Sequence, residues 1–223
     1  MSAIATVVVP SVAPGMSLTS AAYESLKSRL VLLDIAPGAP INEQGLSKEL
    51  GIGRTPLREA LKRLESDHLV VTYARRGTFA SSVDITALTE ISEIRLSLEP
   101  LAARLACQRL NDADRAVLLE LQSALAVLPR GTSARDHMEW DLQVHRALYE
   151  ACHNEHLQTA LTRYGNLATR IWSVAAPRLS DIGAHVLDLG DLIDAVLAGD
   201  ETRAEHLMLE HMRDFESRIR TVL

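Results

Sequence analysis

The chain has 223 residues, of which 47% are hydrophobic, 23% charged and 4% aromatic. That is ample aliphatic material for one or two folded domains, and it excludes a disordered chain. The net charge is -6 and unevenly spread: residues 18–83 hold nine Lys or Arg against seven Asp or Glu, whereas residues 84–223 hold 14 against 22. The two parts, net +2 and net -8, are therefore expected to meet different partners. Cys107 and Cys152 have neither CxxC nor metal-finger spacing, so both read as buried free thiols in a reducing compartment. The opening MSAIATVVVPSVAPGMSLTS lacks a basic start, and Pro10 and Pro14 break its apolar run. It reads as neither a signal peptide nor a membrane helix, which leaves a cytoplasmic protein with a flexible tail over 1–17.

In chain order, Ala22, Leu26, Leu30 and Leu33 make a helical stripe over 20–33, and APGAP stops it. A short helix from Ile41 or Asn42 to Leu50 ends at Gly51, where a left-handed glycine is favoured. Thr55 is expected to cap a third helix, with Pro56 at its first position and Leu57, Leu61 and Leu64 inward. In LVVTYARRGTFASSV, β-branched and aromatic residues flank ARRG, which predicts two short strands joined by a basic turn. Residues 18–83 thus read as a winged helix-turn-helix with a small β-wing. Between 54 and 76 it gathers six cations (Arg54, Arg58, Lys62, Arg63, Arg75, Arg76) against three acids. A helix entering the major groove needs one apolar docking face and one polar or cationic face, and this segment has both. A solvated helix face would have the same charge pattern.

GIGRTPLREALKRLESDHLV followed by ARRGTFAS resembles the DNA-binding domain of the GntR superfamily over residues 20–82. The resemblance implies that Arg54, Thr55 and Arg58 meet DNA and that Arg76 and Gly77 enter or border the minor groove. Gly53 stands where the family usually has Ser or Thr, which removes a phosphate contact, and Gln44 stands where some members carry a basic residue.

Residues 84–223 read as a mainly α, antiparallel all-α helical bundle, with helices near 85–110, 112–127, 133–152, 155–175, 181–198 and 201–222. Three of its stripes carry polar residues at core positions. Arg95 lies in the row Leu88, Ile91, Leu98, Ala102, Leu105; Asp141 and His145 lie in the row Met138, Leu148, Cys152; His211 lies in the row Ala204, Met208, Phe215, Ile219. Buried charges and imidazoles are costly unless paired, so their convergence predicts a shared cavity. Taken singly, each could be a satisfied core residue, with Arg95 pairing to Glu99 or Glu93.

ISEIRLSLEPLAARLA, WDLQVHRALYEACHNEHL and DAVLAGDETRAEHLMLEHMRDF resemble the helical ligand-binding (FCD) domain of the FadR subfamily, over most of residues 88–216. Many members hold a divalent metal on one Asp and three His, and the metal together with an arginine binds the carboxylate of a small organic acid. The resemblance places Asp141, His145 and His211 as three metal ligands and Arg95 as the effector-binding arginine. Leu189 stands where the remaining His is expected, and His185, one turn earlier on the stripe Ile182, His185, Leu189, Leu192, is a candidate replacement. The expected ion is zinc or nickel. The implied protein is a homodimeric, ligand-responsive transcription regulator of repressor type on a palindromic double-stranded operator, not an enzyme. A constitutive dimeric DNA-binding protein with a vestigial pocket, or a metal-dependent hydrolase using Asp141, His145 and His211, are the alternatives.

Overall fold

A computed structural model describes residues 16–129, 131–179 and 182–222. The chain divides between Ser82 and Val83 into two compact units.

In the first unit, α1 (Leu18–Val31) starts at Ser17, whose side chain accepts from the Ser20 N–H, and buries Ala22, Tyr23, Leu26 and Leu30. Residue 17 is thus a helix cap; residues 1–15 of the expected tail lie outside the described residues. Helix α2 (Glu43–Leu50) is capped by Asn42 and ends at Gly51, whose φ of 64° is in the left-handed region that favours glycine. Helix α3 (Arg54–Ser66) begins earlier than expected. Its N-cap is Gly53, which offers no side-chain bond, and Thr55 is its second residue rather than its cap. Pro56 still sits in the first turn, where helical N–H groups have no partner within the helix. Leu57, Ala60, Leu61 and Leu64 seat α3 on the core. Strands β1 (Val70–Tyr73) and β2 (Gly77–Ala80) pair antiparallel, Val70 opposite Ala80 and Tyr73 opposite Gly77. Arg75 and Arg76 fall at the tip, with Gly77 at φ 95°.

The second unit is helical, with no strand among its described residues: α4 (Leu88–Arg109), α5 (Asp112–Ala126), α6 (Ala134–Ala151), α7 (Glu155–Ala175), α8 (Ile182–Leu187), α9 (Leu189–Ala198) and α10 (Glu201–Arg220). Helix α4 is central, packing on α6, α7, α9 and α10. The single helix expected over 181–198 is two helices broken at Asp188, and Asp181 lies outside the described residues. On α4 the buried row runs through Arg95, Glu99, Ala102 and Ala106, while Leu98 and Leu105 are only half-buried. Cys152 is buried and Cys107 only half so; both are free thiols. No helix of the described residues is long and apolar enough to cross a membrane.

Candidate functional sites

The first site is the outer face of α3 and the wing. Arg54, Thr55, Arg58 and Lys62 are exposed on α3, and Arg75, Arg76 and Gly77 on the wing tip. Two cations of the patch are held by neighbours. Arg63 lies 4.1 Å above the Tyr23 ring, whose hydroxyl donates to Asp67 Oδ2 at 2.6 Å. It therefore serves the seam between α1 and α3. Arg58 donates from Nε to Glu43 Oε2 at 3.0 Å, an exposed pair that engages one edge of the guanidinium.

The second site is buried in the helical unit, where Asp141 Oδ1 is the hub. His211 Nε2 lies 3.2 Å from it, His145 Nε2 3.8 Å and His185 Nε2 3.9 Å. Asp141, His185 and His211 each bring one ligand atom within 4.8 Å of the others, and His145 Nε2 stands 3.2 Å from His211 Nε2. Helix α6 places Asp141 and His145 one turn apart, α10 supplies His211, and the break at Asp188 lets α8 supply His185. Leu189, at the expected histidine position, is fully buried at the start of α9.

Outer carboxylates fix the rings. His185 Nδ1 lies 2.8 Å from Asp214 Oδ2, and His145 Nδ1 lies 3.0 Å from Glu99 Oε2. Each leaves its Nε2 toward Asp141, the arrangement by which a carboxylate orients a metal-binding imidazole. Stacking clamps the rings from the sides: His185 lies on His211 at 4.0 Å and on Trp172 at 4.8 Å, and Trp172 lies on Phe215 at 4.7 Å.

Charge follows position. Burial and the neighbouring His211 push His185 down to about 3, and burial lowers His211 as well, so both rings stay neutral with a lone pair to offer. Against burial, His145, His211 and His185 hold Asp141 well below the usual carboxylate range. Burial opposes charge on His145 too, but Glu99 and Asp141 outweigh it and raise its pKa. Asp141 Oδ1, His185 Nε2 and His211 Nδ1 have no hydrogen-bond partner. Buried polar atoms are rarely left so, and an anionic oxygen facing neutral imidazole nitrogens fits a divalent cation.

Arg95 is buried and donates from Nε and Nη2 to Glu99 Oε1 at 2.9 and 2.7 Å. Glu99 is fully buried, also accepts from the Tyr149 hydroxyl at 2.5 Å, and is drawn down to about 2 by His145 and Arg95 against its burial. Sequence reasoning singled out Arg95 and missed Glu99 as a site residue, along with Tyr149, Asp214 and Trp172. The signals were faint: Glu99 is four residues from Arg95, Tyr149 four from His145 and Asp214 three from His211, all one turn away on the same helices.

The family model for gntR-family bacterial regulatory proteins matches residues 18–80, and that for the FCD domain matches residues 90–214. The chain is 28% identical to the HTH-type transcriptional regulator YdhC of Bacillus subtilis over 195 residues, 87% of this chain and 77% of that one. It is 29% identical to the HTH-type transcriptional repressor GlaR of Escherichia coli over 210 residues, 88% of this chain and 94% of that one. Among solved structures, E. coli McbR/YncC superposes with a TM-score of 0.72 at 25% identity, covering 92% of this chain and 98% of that one. With a winged helix-turn-helix ahead of a helical unit, and both matched by family models, this chain belongs to the GntR family of bacterial transcription regulators and carries an FCD domain.

Proposed function

We propose that the protein is a homodimeric, metabolite-responsive transcription regulator of repressor type, acting in the cytoplasm on a palindromic operator. Each α3 enters a major groove with Arg54, Thr55 and Arg58, and each wing brings Arg76 and Gly77 to the adjacent minor groove. One copy offers few base contacts and two half-sites double them, which supports the dimer. Relatives named as repressors support the sign of regulation.

In the helical unit Asp141, His145, His211 and His185 hold a divalent ion, zinc or nickel by donor type. Bound there, the ion supplies a positive charge for a small carboxylate, and Arg95 stands beside the centre to receive the same group. The observation that carries this reading is the convergence of three imidazole Nε2 atoms on Asp141 Oδ1. A second reading is favoured by the Arg95–Glu99 pair: with its arginine already engaged, the pocket could be vestigial and the regulator constitutive.

The test has two parts. Operator selection from a random DNA pool should return an inverted repeat. Thermal shift against carboxylic and sugar acids should then find a ligand that changes operator affinity by about 1 to 3 kcal/mol. A metal-loaded protein that binds its operator yet responds to no acid supports the constitutive reading.

A further inference from the structure

Asp141, His145, His185 and His211 are at most 7% exposed, so an ion held by them must pass a covered approach. One cleft of about 350 Å³ runs between α9 and α10 and reaches the site's histidines: His185 and His211 are part of its lining. Its other lining includes the carboxylates of Asp188, Asp191, Glu210 and Asp214, with no lysine or arginine among the described lining residues.

Acidity alone would signify little on a chain of net charge -6. The independent observation is at the inner wall. His185 and His211 both line the cleft, and each has a buried ring nitrogen without a hydrogen-bond partner, His185 Nε2 and His211 Nδ1. His211 spans the two spaces. Its Nε2 lies 3.2 Å from Asp141 Oδ1, so the residue belongs both to the centre and to the lining of the cleft. The carboxylates also differ in their engagements. Asp214 is committed to His185 Nδ1 and Arg218 Nε, which makes it a positioning residue. Asp191 and Glu210 have loose contacts, to Arg203 at 3.5 Å and His206 at 3.3 Å. Asp188 is exposed at the break between α8 and α9.

From this we infer that the α9–α10 cleft is the loading route for the divalent cation, with Asp188 and Glu210 capturing it before the imidazoles of His211 and His185 take it inward. The inference rests on the metal-centre reading above. Carboxylates gathered around a cleft raise the local cation concentration and speed association, an effect that weakens as salt is added.

The test uses the full chain, stripped with chelator, and Co²⁺ alone as the probe. Trp172 stacks on His185, so its emission in a Trp140→Phe background reports arrival of the ion in stopped flow. Asp188→Asn with Glu210→Gln should slow association about fivefold or more at low salt and flatten its salt dependence. The Co²⁺ absorption spectrum, which reports the ligand set, should stay that of wild type. A control, Asp112→Asn with Glu120→Gln on α5, changes net charge equally and should load at the wild-type rate. Wild-type loading by the cleft variant, or equal slowing by the control, overturns the route while leaving the centre intact. Absence of any Co²⁺ spectrum in wild type overturns the centre, and the route with it.

Discussion

Asp214 holds His185 by its Nδ1 at 2.8 Å, and so turns the other nitrogen of that ring toward Asp141. This contact makes His185 a credible substitute for the histidine that Leu189 displaces. Protein purified without a histidine tag is expected to retain about one divalent ion per chain. Asp141→Ala should abolish retention, and His185→Ala should weaken it strongly. Asp214→Asn, which keeps the shape but loses the charge, should lower affinity roughly 10 to 100-fold. Metal analysis and competition with a chromogenic chelator measure all three; equal metal in wild type and His185→Ala would remove His185 from the ligand set.

Arg95 and Glu99 form a buried ion pair, and breaking one side strands the other. Arg95→Ala is expected to destabilise the helical unit by about 3 to 5 kcal/mol. Both tryptophans, Trp140 and Trp172, lie in that unit, so urea unfolding followed by their emission reads it directly. A loss below about 1 kcal/mol would indicate a hydrated, replaceable arginine. Operator binding by the folded variant should persist, and its response to a carboxylate effector should vanish.

Arg58 donates to Glu43 through Nε at 3.0 Å, an edge that a guanine pair through the two terminal nitrogens does not need. Arg58→Ala should therefore cost roughly 1 to 3 kcal/mol at the operator and relax preference at one base position. Arg76→Ala should weaken binding with little change in preference and a shallower dependence on salt. Fluorescence anisotropy on operator and scrambled duplexes over a salt series separates the two roles. A folded Arg58→Ala protein with wild-type discrimination would exclude base reading by this residue.

Much of this architecture was legible from periodicity. The rows containing Asp141, His145 and His211 are buried as the 3.6-residue spacing implied, because an apolar stripe fixes which way a polar residue on it must point. Three features were not legible. The break at Asp188 interrupts a stripe that continues on both sides of it, and Ile182, His185, Leu189 and Leu192 are all buried, so hydropathy alone gives one helix. The start of α3 was misplaced because Thr55 has the chemistry of a cap, whereas Gly53 leaves no side-chain mark. Glu99 was hidden for a different reason: a lone glutamate on a helix is ordinarily solvated, and only the three-dimensional meeting of Arg95, His145 and Tyr149 explains its burial.

Tyr23 ties α1 to α3, and it gives the DNA-binding unit an alkaline limit. Burial of the phenol, together with its hydrogen bond to Asp67, pushes its ionisation well above the ordinary value of 10. The folded form therefore keeps a proton that the unfolded chain gives up, so the stabilisation is intact below pH 10 and is lost progressively as pH rises beyond it. One such group contributes a slope of up to about 1.4 kcal/mol per pH unit above 10. Tyr23→Phe should cost about 1 kcal/mol at neutral pH, because Asp67 loses its donor, and should show a flatter decline above pH 10. Absorbance titration supplies a direct count. The chain has four tyrosines, and the phenols of Tyr23 and Tyr149 are both expected to ionise late, Tyr149 because it is buried against Glu99. The Tyr23→Phe protein should retain one late phenol where wild type has two. An unchanged count, or a parallel decline in urea unfolding followed by circular dichroism, would remove Tyr23 from the seam between α1 and α3.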